Sequence, residues 1–300
     1  MDSSTKQKFE AYSMQLRAAI DEVAEKGDEE SLLNTISSSI NNITSQLSHV
    51  SAPHHDEVEV HIHNLWYACI QAAKSMDAGG YLQDALLRQI QTVKTLTPLQ
   101  PPSNRGSTEP AFSDGYTAWS SLPLFAQDLI NEFTSRYYKR GLYSFEQHRN
   151  LAGFLGRLVS VGIYDGPALC MLSLFRETLE VSRPLAANPD SKEIPLDELL
   201  PALGQLIGDS GFGISTLVTN CPVVLIVSYP ELSSLGELAS RSGGIPSSGY
   251  SPERWRFWIQ RLEELSKSGV AQIEHDAKLF HDWMIGEQDT TGLPHIMTTK

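Results

Sequence analysis

Four histidines, His54, His55, His61 and His63, with Asp56 among them, form the densest set of potential metal ligands and proton carriers in the chain. Chelation needs imidazoles that converge. A helix turns about 100° per residue, so His61 and His63 point about 200° apart and cannot hold one ion together. Solvated or helix-capping histidines are the plainer reading of the cluster. His63 has a better case alone, because Trp66 and Tyr67 follow three and four positions on and set its imidazole beside aromatic surface. A histidine so placed can serve as general acid or base near neutral pH. The same neighbours also fit plain aromatic packing.

Arg157, Arg176 and Glu180 are charged groups within or beside strongly apolar stretches. If two of them are buried they must pair, since an unpaired charge in a core costs about 3–5 kcal/mol. The alternative is a guanidinium that points into a pocket and holds a ligand oxygen with its planar fork. Cys69, Cys170 and Cys221 are odd in number and far apart, which fits reduced thiols in a cytosolic protein. Nothing basic stands beside Cys69 or Cys170 to activate the sulfur, so both read as small buried hydrophobes.

The elements that must position these groups are helices. In Gly249 to Trp258, Ser251 is an N-cap, Pro252 suits the first helical position and Glu253 lies where the helix dipole favours an anion. Trp255, Trp258, Leu262 and Leu265 then follow at helical spacing. The same periodicity predicts helices over Lys6–Glu25, Ser31–Leu47, His54–Met76 and Tyr81–Leu96, with Gly79-Gly80 as the stop after the third. Further helices are predicted over Pro123–Tyr138, Ser144–Val161 and Asp165–Val181, with Ser144 and Asp165 as caps, and over Leu196–Ile207, Pro230–Ser240, Ser251–Ser268 and Val270–Met284. Gly153 and Gly156 inside a helix point to close approach of a neighbour or ligand. Thr216–Tyr229 is the one segment whose Val and Ile content argues for a strand, against Pro222 in its middle. Prolines 98, 101, 102 and 110 mark Thr97–Gly115 as an exposed loop or lid. The expected organisation is a single all-α domain over 1–288, a multi-helix bundle with a central apolar cavity, followed by a tail over 289–300.

Composition narrows the function classes. A net charge of -13 repels phosphate backbones and anionic lipid, and no local basic cluster offsets it, which argues against nucleic-acid and membrane roles. The longest apolar run, Pro222 to Val227, is far short of the about 20 residues that span a bilayer, and the first residues lack a signal-peptide core. A soluble, cytoplasmic protein is expected. Gly208 to Gly213 is glycine-rich but has neither the lead-in strand nor the spacing of a dinucleotide loop. The aspartate-rich metal motif of a class I terpene cyclase is missing too.

Several runs together carry a resemblance: Leu65-Trp66-Tyr67 with Ala72-Ala73-Lys74, Trp119 with Leu122-Pro123-Leu124-Phe125, and Asn150 through Leu158. Arg176 through Glu180, Leu200-Pro201-Ala202 and the Ser251 to Trp258 box continue the series. The order resembles a fungus-restricted helical family of unknown function. More loosely, it is similar to hetero-Diels-Alder cyclases of tropolone sesquiterpenoid biosynthesis, which use no metal or redox cofactor. That likeness implies small hydrophobic substrates: dehydration of a tropolone-type precursor to an ortho-quinone methide, then cycloaddition with a humulene-type alkene. Such an enzyme needs a dry aromatic pocket and hydrogen-bond donors for the quinone methide oxygens. Trp66, Trp119, Phe154, Phe175, Trp255 and Trp258 are the candidate walls, with Asn150 and Arg157 as polar contacts and His63 and Arg176 as catalytic groups. Large rings at helical spacing are also ordinary core residues. Gly208 to Gly213 departs from the family, where a more apolar run stands. The alternative from another class is a non-catalytic interaction module that binds a partner through Thr97–Gly115.

Overall fold

A computed structural model describes residues 3–48, 55–96, 119, 121–188, 191–220 and 229–291. His54, the proline-rich stretch Thr97–Gly115, Cys221 and the end of the tail lie outside the described residues. The architecture is all-α. Among the described residues there are thirteen α-helices and two single-turn π-helices, with no strand and one isolated bridge between Ser234 and Ser248. None of these helices is long and apolar enough to cross a membrane. The chain divides into two compact units, Met1–Leu129 and Ile130–Lys300.

The first unit is built on α1 (Ser3–Glu25), α2 (Glu29–Ser48), α3 (His55–Ser75) and α4 (Tyr81–Thr95). α3 packs against the other three. Val58, Ile62, Leu65, Cys69 and Ala73, spaced along one stripe, are all buried, and Trp66 and Ile70 widen that stripe. Asp28 caps α2, its carboxylate accepting from the Ser31 backbone N–H at 3.1 Å and the Ser31 hydroxyl at 2.7 Å. After α3 the chain turns through Gly79, at φ 81°. Gln83 then donates its amide to the Ala73 and Met76 carbonyls, both at 3.1 Å, which satisfies acceptors at the end of α3.

α5 (Phe125–Glu132) passes directly into a π-helical turn, Phe133–Tyr137. The second unit continues with α6 (Phe145–Ser160), α7 (Pro167–Phe175) and a second π-turn, Arg176–Glu180, then α8 (Leu196–Asp209) and α9 (Gly213–Asn220). Short α10 (Pro230–Ser233) and α11 (Glu237–Ser242) precede α12 (Pro252–Leu265) and α13 (Ala271–Thr291). All nine residues of α7 are buried, as a helix apolar on every side must be.

Local chemistry explains the ends. Ser144 and Gln147 form a reciprocal capping box on α6, and Ser251 accepts from the Arg254 N–H at the start of α12. Three expectations need correction. Asp165 is not the cap of α7: Gly166, at φ 84°, takes that place and Pro167 opens the helix. The expected Pro230–Ser240 helix is two short ones, because Gly236 lies against Glu180, where a Cβ would meet the Glu180 carbonyl at 2.6 Å. Residues 216–220 are helical, not strand, since they continue α9, and Tyr229 is the N-cap residue of the next helix; residues 221–228 lie outside the described residues.

Candidate functional site

Within the second unit, α6 and α8 run side by side in the same direction: His148 meets Glu198 near their N-termini, and Arg157 Nη2 meets Asp209 Oδ1, at 3.4 Å, near their C-termini. Gly156 allows the close approach. A Cβ there would lie 2.5 Å from the Leu206 carbonyl oxygen and 3.0 Å from the Ser210 N, backbone that cannot give way.

His148 is buried and gripped from two sides. Its Nε2 lies 2.9 Å from the Tyr137 carbonyl, while the Tyr137 hydroxyl donates to the His148 carbonyl at 3.0 Å. A carbonyl only accepts, so Nε2 carries the hydrogen and Nδ1 of the neutral ring is a bare lone pair. Tyr137 and Tyr143 flank the ring at 4.8 and 5.0 Å between centroids. Burial lowers the His148 pKa, against the opposing pulls of the Tyr137 carbonyl and the Glu198 charge. Nδ1 lies 3.0 Å from Glu198 Oε1, at an angle poor for a hydrogen bond, and the Ser144 carbonyl and the Glu198 carboxyl group both favour a proton on the ring. Side-chain exposure is 1% for His148 and 26% for Glu198, so the histidine is sealed and the carboxyl group opens outward.

It opens into a groove of about 820 Å³. Phe145 and Arg149 come from α6; Pro195, Asp197, Glu198, Pro201, Gly204 and Gln205 from α8 and its entry; Val270, Gln272, Asp276 and Phe280 from α13 and its entry. Pro201, inside α8 and on the groove wall, has no N–H to give the Asp197 carbonyl one turn earlier. Arg149 is braced by Gln205, whose Oε1 accepts from Nη2 at 3.1 Å; Gln205 in turn donates to Asp209 at 2.7 Å. The groove thus combines a carboxyl group backed by a buried histidine, one guanidinium and apolar ring surface, a set that can serve acid–base chemistry on a small organic molecule.

The residues singled out from sequence fall in both units. In the first, His63 Nδ1 lies 2.8 Å from each carboxylate oxygen of Asp128, with exposures of 31% and 17%. This orients the imidazole as a general base is oriented. Trp66 donates to the Pro123 carbonyl at 2.7 Å and packs on Phe125. Trp119, left-handed at φ 64°, is buried and donates to Thr44 Oγ1 at 3.1 Å.

In the second unit Asn150, Phe154, Phe175, Trp255 and Trp258 are all buried, and Phe175 stacks on Trp258 at 4.3 Å. Arg157 is tied to Asp209, and Arg176 to Glu177. None of the ten lines the groove. The ion pair foreseen among Arg157, Arg176 and Glu180 has a different cation: Glu180 Oε1 and Oε2 accept from Arg254 Nε at 2.6 Å and Nη2 at 3.0 Å. Trp258 Nε1 and the Gly236 N–H, each at 2.7 Å, complete the carboxylate's shell. Burial raises the pKa of the Cys69 and Cys170 thiols. Among the described residues no group of three or more His, Cys, Asp or Glu could hold a metal ion.

Sequence reasoning missed His148, Glu198, Arg149 and Arg254. Two of them left a signal. His148 shares the stripe of Leu151, Ala152, Leu155 and Leu158, and Arg254 sits one turn before Trp258 on the stripe that continues to Leu262. A polar residue on such a stripe has to be buried and partnered. Glu198 stands off its helix's apolar stripe and looks like any carboxylate in a first turn.

Residues 66–262 match a family described as protein of unknown function (DUF3632). The chain is also 29% identical over 229 residues to oxopyrrolidines biosynthesis cluster protein G of Penicillium oxalicum (strain 114-2 / CGMCC 5302), a match covering 70% of this chain. It covers 60% of that protein, so the chain spans less than two thirds of its relative's length. No solved structure matches. Since the family match takes in well over half of the chain, the chain belongs to this family of unknown function.

Proposed function

We propose that this family member is a cofactor-independent acid–base enzyme of fungal secondary metabolism, with the His148–Glu198 pair as proton carrier and the groove as substrate seat. The observation that carries the reading is the bare Nδ1 of a sealed histidine, 3.0 Å from a carboxyl group that opens into an 820 Å³ groove. The biosynthetic setting is drawn from the Penicillium relative.

The finer reading is the hetero-Diels-Alder reaction implied by the resemblance. Glu198, as the carboxylic acid, gives its proton to the hydroxymethyl oxygen of a tropolone-type precursor; the C–O bond breaks and water leaves. The ring hydroxyl returns a proton to the Glu198 carboxylate, which restores the catalyst and yields the ortho-quinone methide. Nδ1 of His148 shares the proton in between. Cycloaddition with a humulene-type alkene then forms one C–C and one C–O bond and closes a dihydropyran, with no further proton transfer.

The purified chain, incubated with a hydroxymethyl tropolone and humulenol, is expected to yield the dihydropyran by product analysis. Glu198→Gln is expected to lower turnover by about 10²-fold or more at unchanged melting temperature. No product above the buffer background, or a Glu198→Gln variant within about threefold of wild type, would end the reading. The His63–Asp128 pair supports a second placement of the acid–base group, in the first unit. Turnover lost in His63→Asn but kept in Glu198→Gln would favour it.

A further inference from the structure

Gly204 lies on the groove wall of α8, and opposite it the Phe280 ring reaches in from α13. A Cβ at position 204 would stand 1.8 Å from Phe280 Cζ, 2.2 Å from Cε1 and 2.6 Å from Cε2. The far edge of the ring therefore rests directly on the glycine backbone, in space that any other residue would fill. Edge-on seating fixes the ring at its rim and leaves its faces to its other neighbours. Phe280 is only half-buried and it lines the groove, so part of the ring is open to groove space. Phe145, a second exposed ring, stands on the same groove beneath the Arg149 guanidinium at 5.9 Å.

We infer that the groove takes a planar unsaturated ring against Phe280, and that Gly204 is the specificity-determining residue because it lets that ring seat. The inference rests on the groove being the substrate site, but not on proton transfer within it. Stacking needs one flat face on the ligand and none of the reach of a hydrogen bond, so the class selected is conjugated ring compounds over saturated ones of equal size. The clash in Gly204→Ala is with the tip of a side chain. The ring can swing aside, so the fold survives while the stacking platform is lost.

Binding of tropolone and of 1-naphthol, with cyclohexanol as the saturated control, can be measured by titration calorimetry on the full chain. The wild type is expected to bind the two planar probes and to bind cyclohexanol at least about tenfold more weakly. Gly204→Ala and Phe280→Leu are each expected to weaken planar-probe binding about tenfold and to leave the control unchanged. The double variant is expected to bind no worse than Phe280→Leu alone, because the two positions act through one ring. Equal affinity for planar and saturated probes, or planar binding untouched in Phe280→Leu, overturns the inference, and the second result does so even if Gly204→Ala fails to fold. Glu198→Gln separates the two readings. Retained planar binding with retained turnover removes the acid–base proposal alone, whereas loss of the planar preference with turnover still dependent on Glu198 removes only this one.

Discussion

Replacing Glu180 by Gln strips the charge from a carboxylate that is 0% exposed and leaves the equally buried Arg254 guanidinium without its counter-ion. Three carbonyls remain to it, those of Ser233, Gly249 and Ser234, at 2.9, 2.8 and 3.0 Å. They accept three of its five N–H groups and leave the other two, and its charge, to the Glu180 carboxylate. Whichever oxygen the new amide nitrogen replaces, it meets a donor there, Trp258 Nε1 on one side or the Gly236 N–H on the other. Breaking a buried pair from one side costs about 3–5 kcal/mol. For a unit of this size each kcal/mol moves the melting temperature by about 2–4 °C, so a fall of roughly 6–20 °C is expected. Melting followed by tryptophan fluorescence suits the test, since Trp258 contacts the pair directly. Breaking the exposed Arg241–Glu237 pair with Arg241→Ala serves as control, at no more than about 0.5 kcal/mol. Replacing both partners, in Glu180→Leu with Arg254→Met, is expected to recover much of the loss. A Glu180→Gln protein within about 1 kcal/mol of wild type would refute the reasoning.

Three further outcomes follow from the same geometry. Gly156→Ala is expected to lower stability by about 1–3 kcal/mol in urea unfolding, because its Cβ meets backbone of α8 at 2.5 Å; an unchanged midpoint would contradict the packing. His148 binds its proton less readily folded than unfolded, so stability contributed above its ordinary pKa of about 6.5 is lost as pH falls from there through the depressed folded value. His61, also lowered by burial, acts in the same direction; the difference in melting temperature between wild type and His148→Gln across this range isolates the His148 share, which vanishes if the ring is freely protonated. Disulfide-exchange reagent at pH 8 is expected to modify no more than one of the three cysteines in the native chain and all three after unfolding, because Cys69 and Cys170 are buried with raised pKa values.

Much of the fold was legible because it follows from short-range rules. The stripe from Val58 to Ala73, the Ser144 and Ser251 caps and the stop at Gly79-Gly80 are all written in spacing and residue type. Gly156 announced a close neighbour, and α8 is that neighbour. The groove was not legible, because its parts come from α6, α8 and α13, and only their packing brings Phe145, Glu198 and Phe280 to one surface. Phe175, Trp255 and Trp258 are conspicuous in sequence; all three are buried, and Trp258 donates to Glu180 while stacking on Phe175, partners that spacing alone does not reveal. His148 could have been noticed as a polar residue on an apolar stripe. That its ring nitrogen meets Glu198, fifty positions on, is a tertiary fact.

The protonation of His148 is the most direct test, and nitrogen-15 NMR of the histidine side chains reads it without knowledge of the substrate. At neutral pH His148 is expected as the neutral Nε2–H tautomer with an acceptor Nδ1, whose resonance shifts in Glu198→Gln while Nε2 stays bonded to the Tyr137 carbonyl. An Nδ1–H tautomer, or a resonance indifferent to Glu198, would contradict the proton-sharing pair on which the proposed chemistry stands.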